Sequence, residues 1–219
     1  MRSDLYDEWI VSLFDHDEAK GDWRWQDDAE LLDIPKEFIA DYIIQLNQDM
    51  LALRDKYNKW QLVYGLDAVY NVNCADYIFD FRDGPSTTQK KVEVIRSLKE
   101  LYSECFFKLC RPLLGHLSEQ QNELEGFCYM FWDLTPLHYF EENKDKEILY
   151  KEVSEVIEFA LTLDSFACQE SALHGLGHLI IPEYYPKAKD IIQNYIDRNI
   201  NADPRIVKYA QAAKTGMIQ

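Results

Sequence analysis

The chain has 219 residues, 47% of them apolar and 14% aromatic, enough to build a core and to exclude wholesale disorder. Its formal net charge is −16, from 39 acidic against 23 basic residues. That balance repels nucleic-acid backbones and anionic membranes alike, and it favours a basic protein partner whose association is fastest at low salt.

The first predicted element is a short helix over Asp4–Phe14, followed by an acidic loop that reaches Asp33. Residues 1–33 hold eleven acids against Arg2, Lys20 and Arg24, half of the net charge in a small part of the chain. Trp9, Phe14, Trp23 and Trp25 are interleaved with those acids. Rings that anchor and carboxylates that steer suit recognition of a cationic partner. The candidate partner-binding residues are therefore Asp15, Asp17, Glu18, Asp22, Trp23, Trp25, Asp27 and Asp28. The competing expectation is a solvated segment whose tryptophans tuck into the body. His16, flanked by Asp15 and Asp17, reads as a solvated loop histidine.

A helix is expected from Pro35, with Phe38, Ile39, Tyr42, Ile43, Leu46, Met50, Leu51 and Leu53 at helical spacing, and another near Gln61–Tyr70. Asn71–Phe81 is ambiguous between a strand and a short buried helix, and Asp83-Gly84-Pro85 is a turn signal. A long helix follows over Ser86–Leu109, interrupted by Pro112. Ser118, with Gln121 as capping-box partner, is expected to open the next helix, which ends before Pro136. The Trp132-Asp133 pair at that helix end offers a functional reading, but Asp133, ahead of Thr135-Pro136, is more simply a turn residue. Three more predicted helices cover Glu142–Leu163, Ser165–Ile181 and Tyr185–Asn199. Asp203-Pro204 then gives an N-cap followed by proline at the first helical position. Helices joined by short loops, each with one apolar face, must stack on one another. The expected fold is all-α, a single domain over 1–219 of stacked antiparallel helices in the manner of HEAT/armadillo solenoids, with 1–33 packed on it and no clean repeat period.

The segment Ser165–Ile181, SFACQESALHGLGHLII, is the most informative. At 100° per residue, Phe166, Cys168, Ala172, Leu173, Leu176, Leu179 and Ile180 gather on one half of the cylinder. Glu170, His174 and His178 form a stripe on the other. Gly175 and Gly177 each cost about 1 kcal/mol in a helix against alanine, so they call for a close neighbour. Tight helix packing is the plain reading. Two histidines one turn apart can also share a metal ion, with a third ligand from Glu170 or from His116, His138 or Cys128. The HExxH arrangement is missing, as are a Gly-rich phosphate loop and GxSxG. No cofactor and no catalytic residue is assigned on this basis.

Five cysteines form no CxxC and suit free, buried thiols. The N-terminal sequence lacks the basic and apolar regions of a signal peptide, and no apolar run reaches the length of a membrane span, so a cytoplasmic address is expected.

Two segments, CYMFWDLTPL (Cys128–Leu137) and CQESALHGLGHL (Cys168–Leu179), together with YAQAAKTGMIQ (Tyr209–Gln219), resemble an uncharacterised bacterial family of HEAT-like all-helical proteins associated with polymorphic or contact-dependent toxin systems. The resemblance is confined to the C-terminal part of the chain and supplies no catalytic residues. It implies an immunity protein that binds and occludes a cognate toxin, plausibly a basic nuclease. The alternatives are a helical-repeat interaction scaffold and a metal-dependent hydrolase using Glu170, His174 and His178.

Overall fold

The computed structural model describes residues 4–26, 31–74, 76–119, 122–180, 183–199 and 202–218. Every regular element among them is helical. α1 (Asp4–Phe14) turns Tyr6, Trp9, Ile10, Leu13 and Phe14 inward, as its spacing dictates. α2 (Lys36–Gln48) and α3 (Met50–Lys56) divide the predicted second helix at Asp49. α4 (Lys59–Tyr70) opens on a reciprocal capping box between Asn58 and Gln61. The ambiguous stretch resolves as α5 (Tyr77–Asp83), which buries Tyr77, Ile78 and Phe81.

α6 (Thr88–Glu100) is capped by Thr87 and runs on through a π-helical segment, Leu101–Phe106, into a last turn, α7 (Phe107–Leu109). The next helix does not start at Ser118. That residue takes a left-handed conformation (φ 52°) after a 3-10 turn at Gly115–Leu117, and Gln121 lies outside the described residues. α8 (Glu123–Leu134) begins instead on Asn122, whose side chain and that of Glu125 form the capping box. α9 (Lys146–Thr162), α10 (Phe166–Ile180) and α11 (Ala188–Arg198) follow. α12 (Pro204–Ala213) starts on the Asp203 cap and the proline, as expected.

α10 is the middle of the molecule. It packs on α8, α9, α11 and α12. Of the polar stripe predicted for it, Glu170 and His174 are buried along with the apolar residues and His178 is half-buried. Both of its glycines are explained by close approach. A methyl group on Gly175 would stand 2.6 Å from Trp132 Cδ1, and one on Gly177 would overlap Ile218 Cγ2. Cys105, Cys128 and Cys168 are buried and free, Cys74 and Cys110 half-buried and free. The core forms one contiguous cluster that runs from Tyr6 to Ala213. No helix among the described residues is long and apolar enough to cross a membrane.

The two glycine environments on facing helices give opposite expectations for one substitution. A methyl group at Gly126 of α8 meets nothing within 4 Å. Gly126→Ala should raise stability by up to about 1 kcal/mol through helix propensity alone. Gly175→Ala gains the same propensity but must displace a buried indole, and should lower stability by about 1–3 kcal/mol. Urea denaturation of both variants checks the sign; a stabilised Gly175→Ala would contradict the packing.

Candidate functional site

Two regions carry the candidate residues. In the first, Asp17 accepts from Ala19 N at 3.0 Å and caps the 3-10 turn Glu18–Lys20, while Glu18 accepts from Asn58 Nδ2 at 3.3 Å. Asp22 caps the next turn, Trp23–Trp25, and binds Arg24 through two side-chain hydrogen bonds of 2.8 and 2.6 Å. Burial alone would raise the Asp22 carboxyl, but Arg24 outweighs it and holds the group below its ordinary value. Arg24 also pairs with Asp67 and lies 4.4 Å over the Tyr64 ring, so this turn is bolted to α4. Trp23 is a core residue, its ring stacked on His16 at 3.9 Å, and His16 Nε2 meets Ser12 O at 2.7 Å.

The proposed binding set is thus divided. Asp15, Asp17, Glu18 and Trp25 are at the surface, with Trp25 66% exposed. Asp22 and Trp23 are turned to the body, and Asp27 and Asp28 lie outside the described residues.

The second region is a polar core between α8, α10 and α12. Helical spacing sets His174 and His178 one turn apart on α10, and the end of α8 brings Asp133 between them. His174 Nε2 lies 2.5 Å from Asp133 Oδ2, and His178 Nε2 lies 2.9 Å from Asp133 Oδ1. Burial would raise the Asp133 carboxyl; the two imidazoles outweigh it and hold the group well below the usual carboxylate range. His174 is 2% exposed, and its Nδ1 meets Tyr209 Oη at 2.7 Å. Tyr129 continues this chain by bonding to Tyr209, and its ring stands edge-on to His174 at 5.0 Å.

The other residues considered as third ligands go elsewhere. Glu170, which is 0% exposed, accepts from Gly115 N at 2.6 Å and His116 N at 3.1 Å and also bonds His116 Nδ1. It anchors the loop before α8 and does not face the two histidines' Nε2 atoms. His116 in turn stacks on Tyr209 at 4.3 Å. His138 stacks on His178 at 4.7 Å and places Nδ1 3.0 Å from Thr135 O; burial, reinforced by His178, pushes its pKa down to about 4. The Cys128 thiol is directed at Ala167 O. Asp133 is the residue that sequence reasoning considered and set aside as a turn, never joining it to the two histidines. Its only signal was a carboxylate at a helix end, which the adjoining Thr135-Pro136 explained equally well as a turn.

No family model, curated protein or solved structure matches this chain. What it does is therefore argued from its own residues. Among the described residues, Asp133, His174 and His178 are the one group of three or more His, Cys, Asp or Glu side chains whose ligand atoms all lie within 4.8 Å of one another.

Proposed function

We propose that the chain is a non-catalytic binding protein whose partner is a basic protein, and that this partner is the cognate toxin of a bacterial toxin system, as the resemblance of its C-terminal segments implies. The observation that carries the reading is Trp25, 66% exposed on a segment that is rich in carboxylates and fixed to the body. An aromatic anchor on a turn whose backbone is already fixed needs less ordering on binding, so more of its contact energy appears as affinity. The −16 net charge supplies the steering field for a cationic surface. An inhibitor of a nuclease gains from setting carboxylates where phosphates would lie.

The helical array is read here as a short HEAT/armadillo-like solenoid. The supporting pattern is at the C-terminal end, where α9 packs on α10 and α11, α10 on α11 and α12, and α11 on α12. The hydrolase alternative built on Glu170, His174 and His178 is not carried forward, because Glu170 is committed to His116 and Gly115.

The test is affinity capture from lysate of the source cells at low salt with high-salt elution, followed by reconstitution with the captured polypeptide. A basic protein should be recovered, its association rate should fall steeply with ionic strength, and Trp25→Ala should weaken binding at least about ten-fold, the scale of an aromatic hot spot. Co-expression should then protect cells from that polypeptide. Recovery of nothing basic, or a Trp25→Ala variant that binds as well as the parent, would overturn the reading.

A further inference from the structure

We propose that Asp133, His174 and His178 form a transition-metal site, with zinc the best-matched ion. Two imidazole nitrogens and one carboxylate oxygen are the donor set that zinc takes in sites with three protein ligands and one water. The three ligand atoms already lie within 4.8 Å of one another. Tetrahedral zinc with bonds of about 2.0–2.1 Å separates neighbouring donors by roughly 3.3 Å. With Asp133 Oδ2 as the ligand, its 2.5 Å contact with His174 Nε2 therefore needs to open by less than about 1 Å, while His178 Nε2 lies 2.9 Å from the other carboxylate oxygen.

Three further observations point to an ion. First, Nε2 of both histidines is buried yet makes no aligned hydrogen bond, although each is close to a carboxylate oxygen. A buried polar atom without a hydrogen bond is costly unless something coordinates it. Second, the opposite nitrogen of His174 is held at 2.7 Å by Tyr209, itself bonded to Tyr129. With Tyr209 accepting from Nδ1–H, Nε2 carries the lone pair. A metal-ligating histidine is oriented in this way by an outer-shell partner. Third, the Asp133 side chain is 31% exposed, so an ion reaches the site from solvent without opening the core.

The site does not depend on the partner-binding reading, since Trp25 and these three residues belong to separate regions of the fold. Its probe is cobalt(II), which reports geometry by its visible spectrum, followed by displacement with zinc, on the full chain after chelator treatment. The expected result is stoichiometric binding with the intense visible bands of tetrahedral cobalt, no thiolate charge-transfer band, and displacement by zinc. Asp133→Asn and His178→Gln should each weaken binding at least about ten-fold, and Tyr209→Phe, which leaves all three ligands in place, about ten-fold. Far-ultraviolet circular dichroism establishes that each variant is folded. Should a ligand variant fail to fold, Tyr209→Phe and the parent spectrum decide. Failure to bind, a six-coordinate spectrum, a thiolate band that assigns the ion to the cysteines, or affinity indifferent to these substitutions would each overturn the proposal.

Discussion

Glu170→Ala should lower the stability of the chain by about 3–5 kcal/mol, because it removes the acceptor that several buried donors share. The carboxylate is wholly buried and serves three donors at once, the Gly115 and His116 backbone N–H groups and the His116 ring. Alanine leaves all three without an acceptor, and an orphaned buried donor costs about 1–3 kcal/mol. Glu170→Gln keeps an acceptor oxygen for the backbone and gives up the charge, so it should cost distinctly less. Denaturant midpoints at constant slope measure both. A Glu170→Ala variant within about 1 kcal/mol of the parent would show that the loop from Gly115 to Leu117 is not held this way in solution.

Trp132→Ala should cost a comparable 3–5 kcal/mol, as large aromatic truncations in a packed core do. Trp132 is 0% exposed, and its indole N–H donates to Tyr102 Oη at 2.9 Å, which in turn contacts Ser171 Oγ at 2.8 Å. The truncation empties the space over Gly175 and also breaks that polar chain between α8, the π-helical segment and α10. A double-mutant cycle separates the two effects. In the Trp132→Ala background the methyl group of Gly175→Ala no longer meets an indole, so the second substitution should turn from destabilising to stabilising by about 1 kcal/mol. If its cost persists, backbone geometry rather than the Trp132 contact is what requires glycine there.

Where the sequence carried a local physical signal, the structure follows it closely. Asp203-Pro204 starts α12 where a side-chain cap and a proline at the first position predict it, and α1 has the bounds its apolar spacing implies. Signals that competed with equivalents a few residues away were not decisive. Ser118-x-x-Gln121 and Asn122-x-x-Glu125 are both capping-box patterns, and the second wins because its side chains and backbone bond reciprocally while Ser118 leaves helical conformation. Periodicity ran straight through Asp49, where the chain breaks helix without glycine or proline.

The site shows the same division. His174 and His178 were legible because i,i+4 spacing is a property of one helix. Their partner Asp133 was not, because only the packing of α8 on α10 brings it there. The amphipathic reading of α10 failed for a related reason: hydrophobic periodicity finds a helix with one covered face, whereas this helix is covered on nearly all of them and neutralises its polar residues with partners from other elements. The acidic segment was misjudged at Trp23 and Asp22 because composition does not distinguish a tryptophan that anchors a partner from one that anchors its own loop.

The place of α10 has a consequence for biosynthesis. A ribosome delivers α8 and α9 before α10, so until Phe166–Ile180 has emerged the surfaces that rest on it, Trp132 over Gly175 among them, have no native cover, although α8 already packs on α4 and α9 on α6. Closure of this part of the core is therefore an event of late translation, and shortened chains ending ahead of Phe166 expose an adhesive apolar surface where α10 belongs.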